Sequence, residues 1–536
     1  MPNEPVVSGR EAAYSPDAAP RGDAAKVRDQ EIEIKFRTDA DGLASLLAAP
    51  LIKTAKGLQT ENLTARYFDT PANALRKQGI ILRVRKSDDA LPVLGMKAPG
   101  TATDGPFHRL EVEVSSPGLK PDLALFDKAT RKFLTSIIGD QPIGPKFKMQ
   151  FQRQSGLVTH GVSAIEIAVD QGHIVCGKQR VPLGEVELEL VSGDKADLFD
   201  LAMKLAEEFP LRLDFVSKAE KGFQALLREK PCPVKAEPMD SRSWLTIDDA
   251  VTAILSNTLT QYVANWACLR GTDDPESVHQ MRVALRRMRC GLAIFQRALP
   301  HAAFDVLRED AGRLASAFDP VRNADAFRMS VLQGPLASAD RPENCDAVRD
   351  ILEKQRVAAY GRAHTEVESF AATAFVLKVQ NFLARHAWSE LPAGTESSQR
   401  QMPLKEFSRA VLDRQRARAA KRGKEVILLS DEARHKLRIA LKNLRYSVEF
   451  LGALFVRSRR RRTYLKKMSA LQDLLVNRND IVVAMSYVEQ LRLETGPEME
   501  RVLGFVLGWY AREAAVADEA IGKSWKKFKR ADIFWN

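Results

Sequence analysis

Glu31-Ile32-Glu33-Ile34-Lys35-Phe36 alternates charge and hydrocarbon with a period of two. In a strand that spacing sends Glu31, Glu33 and Lys35 to one face and Ile32, Ile34 and Phe36 to the other. One such strand on its own reads as a solvated sheet edge. Here the charged face recurs. Residues 80–85 put Arg83 and Arg85 on one face, and residues 108–114 do the same with Arg109, Glu111 and Glu113. Residues 165–170 do so with Glu166 and Asp170, and residues 185–190 with Glu185, Glu187 and Glu189. The opposite face of each is Val, Ile or Leu, so it must be covered. The pattern therefore predicts a closed sheet with helices on its outside and a wet, charged lumen. Buried charges of both signs are costly unless metal, water or an anion accompanies them. Carboxylate oxygens suit Mg²⁺ or Mn²⁺, and Arg and Lys suit phosphate oxygens.

The rest of the 536-residue chain divides by composition. Residues 1–28 are rich in Ala, Pro and Asp without periodicity and read as disordered; they contain no apolar run of the kind a secretory signal needs. Residues 29–227 alternate strands with helices expected near 39–53, 121–138 and 194–209, an α+β pattern. Residues 228–243 hold three prolines in a polar context and read as a linker. From 244 to 536 apolar residues recur at helical spacing, which predicts an all-helical domain, interrupted at 391–403. No run of about 18 apolar residues occurs, so no membrane span is expected. The five cysteines lack regular spacing and read as reduced thiols.

The formal net charge is +12, and it belongs to the second half. Residues 244–536 carry 47 basic and 35 acidic side chains, and residues 404–470 alone carry 20 and 6. Two segments there resemble each other at an offset of 156 residues: HQMRVALRRMR from His279 and HKLRIALKNLR from His435, with Arg322-Asn323 answered by Arg478-Asn479. On a helix, His279, Arg282, Arg286 and Arg289 fall within an arc of roughly 80°, and His435, Arg438, Lys442 and Arg445 repeat the stripe. Neither stripe is interleaved with aromatics that would stack on bases, which favours a polyphosphate-like anion over nucleic acid. Arg459 to Arg462 read as solvated.

Taken in order, Glu31-x-Glu33-x-Lys35, YFDTP from Tyr67, LRVR from Leu82, Met96-Lys97, Glu111-Val-Glu113, AVDQG from Ala168, EVELE from Glu185 and Ser217-Lys218 resemble the CYTH superfamily of triphosphate tunnel metalloenzymes. The resemblance covers about residues 31–225. It implies an antiparallel eight-stranded β tunnel, Mg²⁺ or Mn²⁺ as cofactor and a substrate bearing a triphosphate. It assigns Glu31, Glu33, Asp170, Glu187 and Glu189 to the metal, and Lys35, Arg83, Arg85, Lys97, Arg109, Arg153 and Lys218 to the phosphates. Glu31, Glu33, Lys35, Lys97 and Arg109 are the expected catalytic set. Glu111 and Glu113 fit either auxiliary metal ligands or partners for the arginines. Ser155 stands where a second basic residue is expected. His108, His160 and His173 read as structural.

The second half resembles the CHAD domain, a two-repeat helical module whose basic faces bind inorganic polyphosphate. Asn323 departs from the acidic residue expected after Arg322. Together the resemblances imply hydrolysis of inorganic triphosphate to pyrophosphate and phosphate in the cytoplasm, with association to polyphosphate granules. The alternatives are an adenylate cyclase or a thiamine or nucleoside triphosphatase in the same tunnel, or a non-catalytic polyphosphate- or nucleic-acid-binding protein.

Overall fold

Nine strands form one antiparallel sheet: β1 (Lys26–Arg37), β2 (Lys56–Asp69), β3 (Ile81–Ser87), β4 (Val93–Pro99), β5 (His108–Ser115), β6 (Gly144–His160), β7 (Ser163–Cys176), β8 (Gln179–Ser192) and the short β9 (Arg212–Leu213). The computed structural model describes residues 26–88, 90–100, 106–338, 345–389, 402–455 and 459–535. The strands run β5-β4-β3-β2-β6-β7-β8-β1, and β1 also pairs with β5, which closes eight of them into a barrel. β1 is the closing strand, with Lys26–Ile32 registered on β5 and Glu33–Phe36 on β8. The strand takes in residues 26–28, which composition had assigned to the disordered opening. Their backbone pairs with Glu111–Glu113, and ladder hydrogen bonds override a weak local propensity.

Apolar outer faces are covered where the sequence makes them apolar. α1 (Ala40–Ala48), α2 (Lys128–Ile138) and α3 (Lys195–Glu208) lie against the barrel. α2 starts at Asp127, whose carboxylate accepts from the Ala129 and Thr130 N–H groups. One face of α2 sets Leu134 and Ile138 on Leu82, Val84, Met96 and Val112. The expected helix at 121–138 is therefore shorter than predicted, with a single 3₁₀ turn at Leu123–Leu125 before it. By contrast, Gln150, Gln152, Gln171 and His173 on the outer face of β6 and β7 are exposed. That stretch of the face is polar and needs no cover, whereas Ile165, Ile167 and Val169 on the same face of β7 are buried.

The inner face is charged only over part of its length. Tyr67, Phe147, Met149 and Ile174 follow the same inward register and meet Ala219 and Phe223 of α4 (Lys218–Leu227). Phe147 stacks on Tyr67 with centroids 4.7 Å apart and takes Phe223 edge-on at 5.2 Å. α4 thus plugs one end of the lumen. The alternation did not predict this helix, but its Ser217-x-x-Glu220 start is a capping signature, and the Ser217 hydroxyl accepts from Glu220 N–H at 3.1 Å.

Residues from Cys232 onward form a second compact unit, all helical. Its longer helices are α5 (Ile247–Ala264), α6 (Pro275–Phe295), α7 (Ala303–Ala317), α8 (Asp319–Gln333), α9 (Cys345–Val367), α10 (Phe370–Ala384), α11 (Leu404–Arg422), α12 (Asp431–Leu451), α13 (Arg459–Glu494) and α14 (Glu500–Lys529). The two similar sequence segments lie on α6 and α12, each 21 residues long and each opened by an oxygen cap, Asp274 and Ser430. The repeats are not separate bundles. Phe327, Val331 and Leu352 of α8 and α9 share a core with Ile481, Val488, Val502 and Tyr510 of α13 and α14. The interruption at 391–403 falls almost wholly outside the described residues. Part of the predicted linker is held in place: Val234 exchanges hydrogen bonds of 2.9 Å with the Asn265 side chain, and the Asn257 amide donates to Glu237 O at 3.1 Å.

Gly222 tests the plug. A Cβ there would lie 2.1 Å from Phe147 Cε2. Helix propensity favours Gly222→Ala by about 1 kcal/mol, while overpacking a ring already in contact with Tyr67 and Phe223 costs about 1–3 kcal/mol. The variant should unfold the barrel at lower urea concentration; a raised midpoint would show that Phe147 can yield.

Candidate active site and basic helix faces

The lumen encloses a cavity of about 380 Å³. Glu31, Glu33, Lys35, Arg83, Arg85, Lys97, Arg109, Glu111, Glu113, Arg153, Glu187, Glu189 and Lys218 all line it. They come from seven different elements, and the register explains why they meet: Glu31 lies opposite Arg109, Glu33 opposite Glu189, Lys35 opposite Glu187, and Lys97 opposite Glu111. Glu61 and Glu166, which the assignment left out, line it too. Glu166 was visible in the alternation of β7. Glu61 was not, because the apolar residues on its own face of β2, Leu63, Ala65 and Tyr67, point into the lumen with it. None of His108, His160 and His173 is among the lining residues.

Two ionic groups divide the lumen. In the first, Glu187 is shared by Lys35 Nζ at 2.8 Å, Lys218 Nζ at 2.5 Å and Arg153 Nη2 at 2.5 Å, and Lys35 also lies 3.0 Å from Glu33. Burial disfavours the Glu187 carboxylate, but Lys218, Lys35 and Arg153 outweigh it and hold the group well below the usual range. Glu33 goes the other way: burial, then the facing Glu187, pushes its carboxyl up. In the second group, Lys97 Nζ sits 2.8 Å from both oxygens of Glu31 and 3.2 Å from Glu111. Arg83 reaches Glu111 and Glu113 at 3.1 Å each, and Arg85 reaches Glu113 at 3.4 Å. Glu111 and Glu113 are therefore ion-pair partners here. Ser155 lines the lumen two residues from Arg153, and no second guanidinium stands at that position.

Asp170 departs from its expected place. It is fully buried and is not among the cavity-lining residues; its oxygens take Arg153 Nε and Nη2 at 2.7 Å each and Lys218 Nζ at 2.8 Å. It holds these two cations from outside the cavity wall, whereas Glu187, which is also paired with cations, lines the cavity. Among the described residues no ready-made group of three or more metal-ligating side chains stands together. The donors nevertheless fit a hard cation. Glu33 is a carboxyl pushed up by burial and then by Glu187, and Glu31, Glu187 and Glu189 supply further oxygen donors in the same cavity.

In the helical unit, α6 and α12 contact each other. Arg282 is paired with Asp319, Arg322 lies 3.6 Å from Asp480, and Arg438 donates to His435 Nδ1 at 3.2 Å, which in turn lies 3.2 Å from Asn479. Arg286 Nε donates to Arg282 O at 3.2 Å. Burial, reinforced by Arg286, Arg438 and Arg282, pushes the Lys442 ammonium down to about 6. Burial also lowers His279. The ends of the stripes diverge: Arg289 lies over Gly312 of α7, and Arg445 donates to Gln472 of α13 at 3.4 Å. Arg459, Arg460 and Arg462 are exposed.

Residues 29–223 match the CYTH domain family and residues 253–489 the CHAD domain family. Over 197 residues the chain is 32% identical to an inorganic triphosphatase of Haemophilus influenzae, covering 36% of this chain and 54% of that protein. The chain thus spans about half the length of this curated relative. The crystal structure of the CHAD domain from the plant Ricinus communis is 25% identical with a TM-score of 0.47, covering 55% of this chain and 96% of that one. A Hippeastrum protein described as an adenylyl cyclase with a dominant triphosphatase activity is 18% identical with a TM-score of 0.29, covering 36% of this chain and 96% of that one.

Glu113 provides a pH test. Burial opposes its charge, but Arg83 and Arg85 win and hold the carboxyl down to about 2. With the folded value below the unfolded one, the pair's contribution is present above about pH 4.3 and is lost as pH falls toward 2. Urea midpoints of the barrel should therefore drop across that window. Glu113→Gln should be less stable at pH 7 and lose less on acidification; parallel curves would refute the pairing.

Proposed function

We propose that this chain, a CYTH domain followed by a CHAD domain, hydrolyses inorganic triphosphate to pyrophosphate and phosphate and binds long-chain polyphosphate through its helical unit. One observation carries the first half of the reading. All seven cations assigned to phosphate face a single cavity together with four carboxylates assigned to metal, and its volume, about 380 Å³, lies in the range of small-ligand sites.

The chain's own groups account for binding and charge stabilisation. In the described structure, Lys35, Lys97, Arg83, Arg85, Arg153 and Lys218 are neutralised by Glu31, Glu111, Glu113, Glu187 and Asp170. A triphosphate takes the place of the cavity-lining carboxylates on the cations, while Asp170 keeps its hold on Arg153 and Lys218. Glu31, Glu33, Glu187 and Glu189 hold Mg²⁺ or Mn²⁺, which when bound polarises phosphoryl oxygens and acidifies water. Lys35, Lys97 and Arg109 stabilise charge as the terminal phosphoryl group leaves. The barrel wall keeps the chain of phosphates aligned, a contribution of positioning rather than covalent chemistry.

The second half rests on the like charges brought together by α6 and α12, where Arg282, Arg286, Arg438 and Lys442 act on one another. A polyanion relieves that repulsion. No helix among the described residues is long and apolar enough to cross a membrane, and we place the protein in the cytoplasm at polyphosphate granules.

The deciding assay offers inorganic triphosphate, thiamine triphosphate and ATP to the full chain with Mg²⁺ or Mn²⁺ and follows phosphate, pyrophosphate and cyclic nucleotide. Inorganic triphosphate should give phosphate and pyrophosphate, and Glu31→Gln or Glu33→Gln should lower turnover by more than about a hundredfold. A cyclic nucleotide product would move the reading to cyclase chemistry, and no turnover of any substrate would end it. For the helical unit, a bound anion restores the Lys442 proton, so binding takes up a proton above about pH 6. Polyphosphate affinity should therefore fall by up to about tenfold per pH unit as pH rises from 7 to 9, and Lys442→Met should flatten that slope; equal slopes would remove Lys442 from the site.

A further inference from the structure

We propose that Glu185, Lys221 and Asp214, none of which lines the cavity, are positioning residues that keep the Lys218 ammonium aimed into the lumen while Glu187 exchanges partners. The inference rests on the triphosphatase reading and concerns what holds one of its phosphate-binding cations.

Lys218 is the first residue of α4, the end of a helix where the macrodipole disfavours a cation. Carboxylates must therefore hold its ammonium. Three do so: Asp170 at 2.8 Å, Glu185 at 2.7 Å and Glu187 at 2.5 Å. Glu187 also serves Lys35 and Arg153 and is the member drawn away when the cavity fills. Asp170 and Glu185, both fully buried, remain. Glu185 splits its oxygens, Oε2 to Lys218 and Oε1 to Lys221. The two lysines are three residues apart, so they leave one face of α4 as neighbours, and Glu185 clamps the pair. Lys221 is fixed in turn by Asp214, whose Oδ2 lies 2.7 Å from its ammonium. Asp214 is anchored twice, by donating its N–H to Lys35 O at 2.9 Å and by accepting from Val216 N–H at 3.1 Å. The chain of contacts thus runs from the backbone of β1 to the plug helix and ends on a cation in the lumen.

Losing an outer support of this kind costs about ten- to a hundredfold at comparable sites. In the full chain, Lys221→Met should lower kcat/KM for inorganic triphosphate by that factor and weaken triphosphate binding measured in chelator, without metal. Lys221→Arg, which keeps the charge, should recover most of both losses. Glu185→Gln combined with Lys221→Met should be no worse than the poorer single variant, because both break one chain. The folded fraction at assay temperature is measured by circular dichroism. If Lys221→Met matches wild type, if its loss only tracks the unfolded fraction, or if arginine does not rescue it, the positioning role is wrong. A wild-type chain that neither turns over nor binds triphosphate would instead remove the reading beneath it.

Discussion

A closed sheet whose inner wall carries ions must balance them side chain by side chain, because bulk water is not there to do it. That constraint organises the barrel. Lys97 faces Glu31 and Glu111, Arg83 faces Glu111 and Glu113, and Lys35, Arg153 and Lys218 crowd around Glu187. Removing one partner from such a set exposes another buried charge, so the set holds together as a unit. The hydrocarbon that drives folding is displaced to the outside of the strands and to the plugged end, where Phe147 and Phe223 pack.

Balance of this kind also makes the lumen receptive. Its cations and carboxylates neutralise one another, yet each sign is what a divalent ion and a phosphate chain would need. Exchange of internal pairs for ligand pairs leaves the total charge compensated, and the cost of desolvation was met when the barrel closed. The carboxylates are not equivalent in this exchange. Asp170 and Glu185 are buried out of the cavity against the lysine and arginine they anchor, whereas Glu33 and Glu187 face inward and press on each other.

The helical unit handles charge by the opposite rule. Its basic residues are drawn together with too few carboxylates, Asp319 and Asp480 among them, and burial together with Arg286, Arg438 and Arg282 pushes the Lys442 ammonium down. An excess of one sign at a helix contact is unfavourable in the free protein. It is the arrangement that an extended anion would stabilise.

The period-two alternation of residues 31–36 and its four echoes was enough to predict a sheet with a charged inside, because side-chain direction in a strand depends only on parity. The 156-residue offset between His279 and His435 likewise determined the matching helices α6 and α12. Parity could not say that Tyr67 and Phe147 share the inward face with the ions, nor that Asp170 would lie beneath the cavity while Glu113 lay within it. Those outcomes depend on strand register and on where α4 inserts, and both are decided by contacts between residues far apart in the chain. The same holds for the mixed core of α8, α9, α13 and α14, and for the clamp of Glu185 on Lys218 and Lys221. Local sequence sets which way a side chain points; only the closed fold sets what it meets there.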